Sequence, residues 1–211
     1  MVDSKWLNEH RWMLRASDNG IGYGGYKRKR VGAWNCSGDN WTGKADCDTC
    51  GGFFGIDQQH NGFGLNNKPT IELCEVRGDV VVIGGNKICV QDYRVVAVNA
   101  DIPDAAFEQC GYMVGRGEIE EISSGRWLLL GATVQTVSGG EVWSYGTSTV
   151  QTVSGGLVSA YDNSTVQTVS GGLVSAYDNS TVQTVSGGEV SACGNSTVVN
   201  DLRKRGDNDR Q

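Results

Sequence analysis

From Thr133 onward, the apolar positions of this chain recur every sixteen residues. Residues 133–148 read TVQTVSGGEVWSYGTS and residues 149–164 read TVQTVSGGLVSAYDNS. Residues 165–180 repeat the second unit letter for letter, and residues 181–196 read TVQTVSGGEVSACGNS. A fixed short period marks a solenoid, in which each unit buries its apolar side only by stacking on its neighbours. Each unit splits into two halves with Val second, a small residue fourth, an apolar or aromatic residue fifth, and Gly, Asn, Asp or Ser at the end. Such a half is a short β-branched strand followed by a turn that needs positive φ. A helix is excluded, because Gly-Gly recurs in every unit at a cost of roughly 1 kcal/mol per Gly. The pattern predicts a C-terminal two-sheet β-solenoid of four 16-residue coils over residues 129–202, followed by a charged tail at 203–211.

Strict strand alternation assigns the faces of these coils. Val134, Thr136, Val142 and Ser144 fall on one parity, and Gln135, Val137, Trp143 and Tyr145 on the other. Burying Gln135, Gln151, Gln167 and Gln183 would leave amides in need of partners, so the first parity is expected to face inward. Val137, Val153, Val169 and Val185 then form an outward ladder, and Tyr145, Tyr161 and Tyr177 a second, each stepping about 4.8 Å per coil. No Lys or Arg stands between Arg126 and Arg203. Two apolar ladders without charge predict self-association into a homo-oligomer. The equally weighted alternative is a local bulge that turns both Val134 and Val137 inward.

Residues 1–128 carry no repeat. They hold six of the seven cysteines and five of the six Trp. Residues 4–15 read as an opening helix or strand, and residues 18–64, rich in Gly, Asn and Asp, as loops with short strands. Strand-like runs follow at 70–76, 79–83, 87–90 and 93–98. Residues 102–112 have Pro near the start and a Gly stop, which suits a short helix. The expectation is a small α+β N-terminal domain on a mainly β chain.

Composition narrows the classes. With 31 Gly and 2 Pro in 211 residues, collagen and Pro-rich disorder are excluded. A net charge of −6 argues against a general nucleic-acid binder. The longest apolar run, Trp127 to Leu130, is far below a membrane span, and the opening residues lack the apolar core of a secretory signal. The expected setting is therefore the cytoplasm, with cysteines reduced and serving as small buried residues or metal ligands.

Two clusters could carry chemistry. Cys47 and Cys50 form a CxxC, with Cys36 and His60 within reach in sequence. Thiolate and imidazole at such spacings make zinc possible; otherwise no cofactor is expected, and the competing reading is of incidental cysteines. Lys27, Arg28, Lys29 and Arg30 form a basic run flanked by Trp34 and Trp41, a conceivable clamp for a nucleotide-type ligand. The competing reading is a solvated loop. Only His10 and His60 are present, and no Ser or Cys stands in a nucleophile-elbow context, so the chain reads as non-enzymatic.

Tyr23-Gly24-Gly25-Tyr26, Cys50-Gly51-Gly52-Phe53-Phe54-Gly55, Glu75-Val76 with Asp79-Val80-Val81, and Gly85-Asn86-Lys87-Ile88-Cys89-Val90 carry a resemblance over roughly residues 20–100. The chain resembles an uncharacterised group of prokaryotic and phage-encoded proteins in which a domain of this size precedes short Ser/Thr/Val/Gly repeats. In that group Leu-His-Gly commonly follows Cys-Gly-Gly; Phe53-Phe54-Gly55 replaces it here, so the His is lost. The resemblance implies a phage- or mobile-element-borne accessory protein that binds a host factor, in host takeover or anti-defence. It carries no established activity. The alternative is that the N-terminal domain binds, sequesters or transforms a nucleotide-type small molecule.

Overall fold

The computed structural model describes residues 2–22, 26–46, 48–62, 65 and 70–203. The chain divides into two compact units, Met1–Gly111 and Tyr112–Gln211.

In the first unit, Asp3 accepts the N–H of Trp6 and caps helix α1 (Ser4–Glu9). The chain then turns at His10, whose ring stacks on Trp6 at 4.5 Å, into strand β1 (Trp12–Ser17). The opening run is thus a helix and a strand in succession. Strands β2 (Trp34–Cys36), β3 (Phe53–Gly55), β4 (Thr70–Ile83) and β5 (Lys87–Val98) complete an antiparallel sheet. Its order is β1-β4-β5-β2, with β3 also paired to β5. The four strand-like runs of the sequence merge into one long β4–β5 hairpin, interrupted by a register shift between Arg77 and Val80. Pro103 opens helix α2 (Asp104–Gln109), which buries Ala106 and Phe107. Met13, Cys74, Val76, Ile88, Val90, Tyr93 and Val95 form one buried cluster of the sheet.

The second unit is a parallel β-solenoid of about six turns. It comprises β6 (Met113–Ile122), β7 (Arg126–Val137), β8 (Glu141–Tyr145), β9 (Thr149–Val153) and β10 (Leu157–Ala160). β11 (Thr165–Val169), β12 (Leu173–Ala176), β13 (Thr181–Val185), β14 (Glu189–Ala192) and β15 (Thr197–Asp201) follow. Even-numbered strands from β8 stack along one face and odd-numbered strands from β9 along the other. β7 serves both faces, pairing β8 through Arg126–Leu130 and β9 through Thr133–Val137. The rod therefore starts earlier than the repeat does. β6 and the first half of β7 lack the TVQTVSGG wording and take shorter steps, with Met113 beside Trp127 and Trp127 beside Val142.

Of the two face assignments, the outward valine ladder is overturned and the inward turn of both valines is what the structure shows. Val137, Val153, Val169 and Val185 are fully buried, as are Val134, Val150, Val166 and Val182. All eight belong to one core with Val142, Val158, Val174, Ala160 and Ala176. Strict alternation fails because Gln135 and Thr136 both turn away from the core, so valines three apart both point in. Burying a second valine row stabilises by about 2 kcal/mol per side chain, which outweighs a local departure from the pleat. The glutamines face out, as expected. The tyrosine ladder exists, but as a ring stack packed into the rod: Tyr145, Tyr161 and Tyr177 lie 5.0 Å apart in succession, and the first two are buried.

The Gly-Gly turns explain why the period holds. A Cβ on Gly139, Gly155 or Gly171 would lie 2.3 Å from the carbonyl oxygen of Ser123, Ser138 or Ser154 in the preceding turn. The second glycine of each pair has φ near +70°, at Gly140 (78°), Gly156 (71°), Gly172 (69°) and Gly188 (67°). Only glycine meets both demands without strain.

Candidate functional site

The first unit contains a cavity of about 530 Å³. β1 supplies Leu14, Arg15 and Ala16 to its wall, and the segment around β3 supplies residues 51–56. Tyr26, Cys36, Ser37, Asn40, Asp48 and Lys87 supply its other polar side chains. The Cys-Gly-Gly-Phe-Phe-Gly run can form this wall because it lies flush on its neighbours. A Cβ on Gly52 would meet the Val90 carbonyl oxygen at 2.4 Å and the Trp41 ring at 2.6 Å. That close approach holds Phe53 against Tyr93 (4.8 Å between ring centres) and Tyr26 (4.9 Å), while Lys87 lies 5.1 Å over the Phe54 ring.

A buried ionic cluster lies behind that wall and reaches it through Arg15. Arg15 and Glu72 are opposite one another across the β1–β4 pair, which places their side chains on one face. Arg15 Nε lies 3.5 Å from Glu72 Oε2, and Arg28 Nε lies 2.5 Å from Oε1. The Ser17 hydroxyl also donates to Oε1 at 2.8 Å. The Glu72 side chain is wholly buried and that of Arg15 is 8% exposed. Two guanidinium groups therefore share one carboxylate. Arg15 packs over the Tyr93 ring at 4.6 Å. Its Nε and Nη1, with Glu72 Oε2, Tyr93 Oη and Ser37 Oγ, are buried without a hydrogen-bond partner. Burial pushes the Tyr93 phenol and the Cys74 thiol up, so both neighbours of the cluster stay neutral at ordinary pH and supply no counter-charge.

The residues singled out in the sequence are distributed differently. Lys27, Lys29 and Arg30 are exposed, and only Arg28 turns inward, to Glu72. Trp34 lies beneath the guanidinium groups of Arg77 (4.0 Å) and Arg94 (5.1 Å), which in turn pair with Asp92 and Glu75. Trp41 packs against the Cys50, Ile83 and Cys89 cluster. None of these six lines the cavity. The expected basic clamp is corrected accordingly: its one inward cation is consumed by a buried carboxylate, and its tryptophans belong to other packing groups.

The CxxC reading changes as well. Cys50 is bonded to Cys89, so these two are not the free thiols expected, and Cys50 has no thiolate to offer a metal. The Cys36 sulfur accepts from Arg77 Nη2 at 3.4 Å, and His60 Nδ1 lies 3.0 Å from Asp57 Oδ1. Cys47 lies outside the described residues. Among the described residues, no three His, Cys, Asp or Glu side chains gather in a metal-holding arrangement. No described helix is long and apolar enough to cross a membrane.

Sequence reasoning missed Arg15 and Glu72. Their signal was present: each is a lone charge inside an apolar strand, Trp12-Met13-Leu14-Arg15-Ala16 and Thr70-Ile71-Glu72-Leu73-Cys74. A charge in such a place is almost never buried unless paired. No protein-family model, curated protein or solved structure matches this chain.

Proposed function

We propose that the chain is a small-molecule binding protein, with its site in the cavity of the N-terminal unit and the solenoid as a rigid scaffold. One observation carries this reading: a cavity of about 530 Å³, within the range of ligand pockets, walled by Phe53, Phe54 and Tyr26 and containing a guanidinium group from a side chain more than nine-tenths buried. Aromatic walls with a few convergent polar groups favour a planar organic molecule over a protein surface. The self-association reading loses the exposed valines on which it rested, since all four are core residues. In the setting implied by the resemblance, the protein would act on its host by holding a small molecule.

The test is a binding screen by thermal shift and calorimetry with four planar probes: adenosine, AMP, indole-3-acetamide and indole-3-acetate. At least one is expected to stabilise the full chain. Ala16→Trp, which fills the cavity from β1, is expected to abolish that effect while the circular dichroism spectrum stays that of the parent. If no probe binds, or if binding survives Ala16→Trp, the proposal fails.

A further inference from the structure

Resting on the cavity reading, we infer that the ligand carries an anionic oxygen group, a carboxylate or phosphate, that seats on Arg15. The argument is one of charge. Arg15 and Arg28 bring two positive charges to the single negative charge of Glu72, and the three side chains are 8%, 18% and 0% exposed. One positive charge thus remains uncompensated in a poorly solvated place, which is costly unless a counter-ion arrives. Glu72 does not satisfy Arg15: at 3.5 Å and without hydrogen-bond geometry the contact is ionic only, and Nε and Nη1 both retain unused N–H groups. The other groups facing the cluster are the Ser17 hydroxyl, the Tyr93 and Tyr26 phenols and the Cys74 thiol. Burial raises the last three, so none supplies a negative charge at ordinary pH.

Among the described residues, the other two charges on the cavity wall, Asp48 and Lys87, are of opposite sign and leave the excess on Arg15 unchanged. Arg15 lines the cavity, and a guanidinium there is the natural counter-group of a carboxylate or phosphate. An inorganic anion alone would leave most of the cavity and its aromatic wall unfilled. The ligand class is therefore a flat ring system bearing an oxyanion, with the ring against Phe53 and Tyr26.

The experiment compares each anionic probe with its neutral counterpart by calorimetry on the full chain. AMP is expected to bind at least about tenfold more tightly than adenosine, or indole-3-acetate than indole-3-acetamide, as one charge-assisted hydrogen-bonded contact gives. The pair that shows the preference tells phosphate from carboxylate. Arg15→Met should bring the anionic probe down to the level of its neutral partner, and without ligand it should melt no lower than the parent, because it removes the unbalanced charge. Glu72→Gln adds a second unbalanced charge and should widen the preference. Equal binding of charged and neutral probes, or a preference that survives Arg15→Met, overturns the inference while leaving the cavity reading standing. Failure of all four probes overturns both.

Discussion

The two units bury different things. The core of the rod is mostly valine and alanine; the Ser148 and Ser164 hydroxyls donate to carbonyls only three residues back, while the buried Ser144 and Ser180 hydroxyls and the Trp143 indole N–H find no partner. The N-terminal unit buries Arg15, Glu72, Asn35 and Ser17, and beside local contacts these reach far along the chain: Ser17 and Arg28 donate to Glu72, and Asn35 donates to the Tyr93 carbonyl. A repeated apolar core secures a shape and little else. A polar core costs stability unless every group is matched, and in the first unit, unlike the rod, the unmatched groups include side chains that line a cavity.

The sharpest way to break this contrast is to put a charge in the rod. Val153→Lys is expected to cost on the order of 5 kcal/mol, or to prevent folding of the second unit, because the ammonium has no partner between the sheets. Urea denaturation reads the effect. A change within about 0.5 kcal/mol would mean that this valine row faces solvent after all.

The second test acts on the other unit. The Cys50–Cys89 bond closes a loop with a sequence separation of 39 residues, and opening it should cost about 4 kcal/mol. Dithiothreitol, or the Cys50→Ala/Cys89→Ala pair, should lower the melting of the N-terminal unit and leave that of the rod in place. Loss of both transitions together would show that the units do not unfold independently.

What could be read from the sequence follows the same divide. The rod was legible because its neighbours in space are sixteen residues apart in sequence, so one unit displays its own contacts. Only the break at Gln135 and Thr136 was undecided, since alternation and a bulge place the same letters on either face. Strand β6 and the first residues of β7, without the repeated wording, fall on the other side of the boundary that the sequence suggests at residue 129. In the N-terminal unit the element types were largely visible, but the site was not. The basic run drew notice because its charges are adjacent in sequence. The charges that count, Arg15 and Glu72, meet only through strand pairing across 57 residues, as their facing positions on β1 and β4 show. A pairing of that kind leaves no local trace beyond a charge in an apolar strand.

The smallest expected effect returns to the rod, at one of its few ionisable positions. Asp162 is half-buried in a turn at φ 56°, and its carboxylate accepts the N–H of Gly146 at 3.0 Å. Burial raises its pKa, with a smaller contribution from Asp178. The folded state therefore holds the proton more tightly than the unfolded chain, and the ionised form costs stability as pH rises through the raised value. Asn tolerates this backbone and keeps the acceptor oxygen. Asp162→Asn should match the parent near about pH 3 and melt about one degree higher near about pH 6, a gain kept small by solvent screening. A variant that melts lower at the higher pH would show the charge to be favourable in place.

Residues 149–164 and 165–180 are the same sixteen letters, and Val150, Val166 and Val182 succeed one another in register. Unequal recombination between such tandem copies adds or removes whole coils, each about 4.8 Å of rod, without shifting a single strand against its neighbour. Length is thereby free to drift between lineages while the part of the gene that encodes the first unit stays untouched.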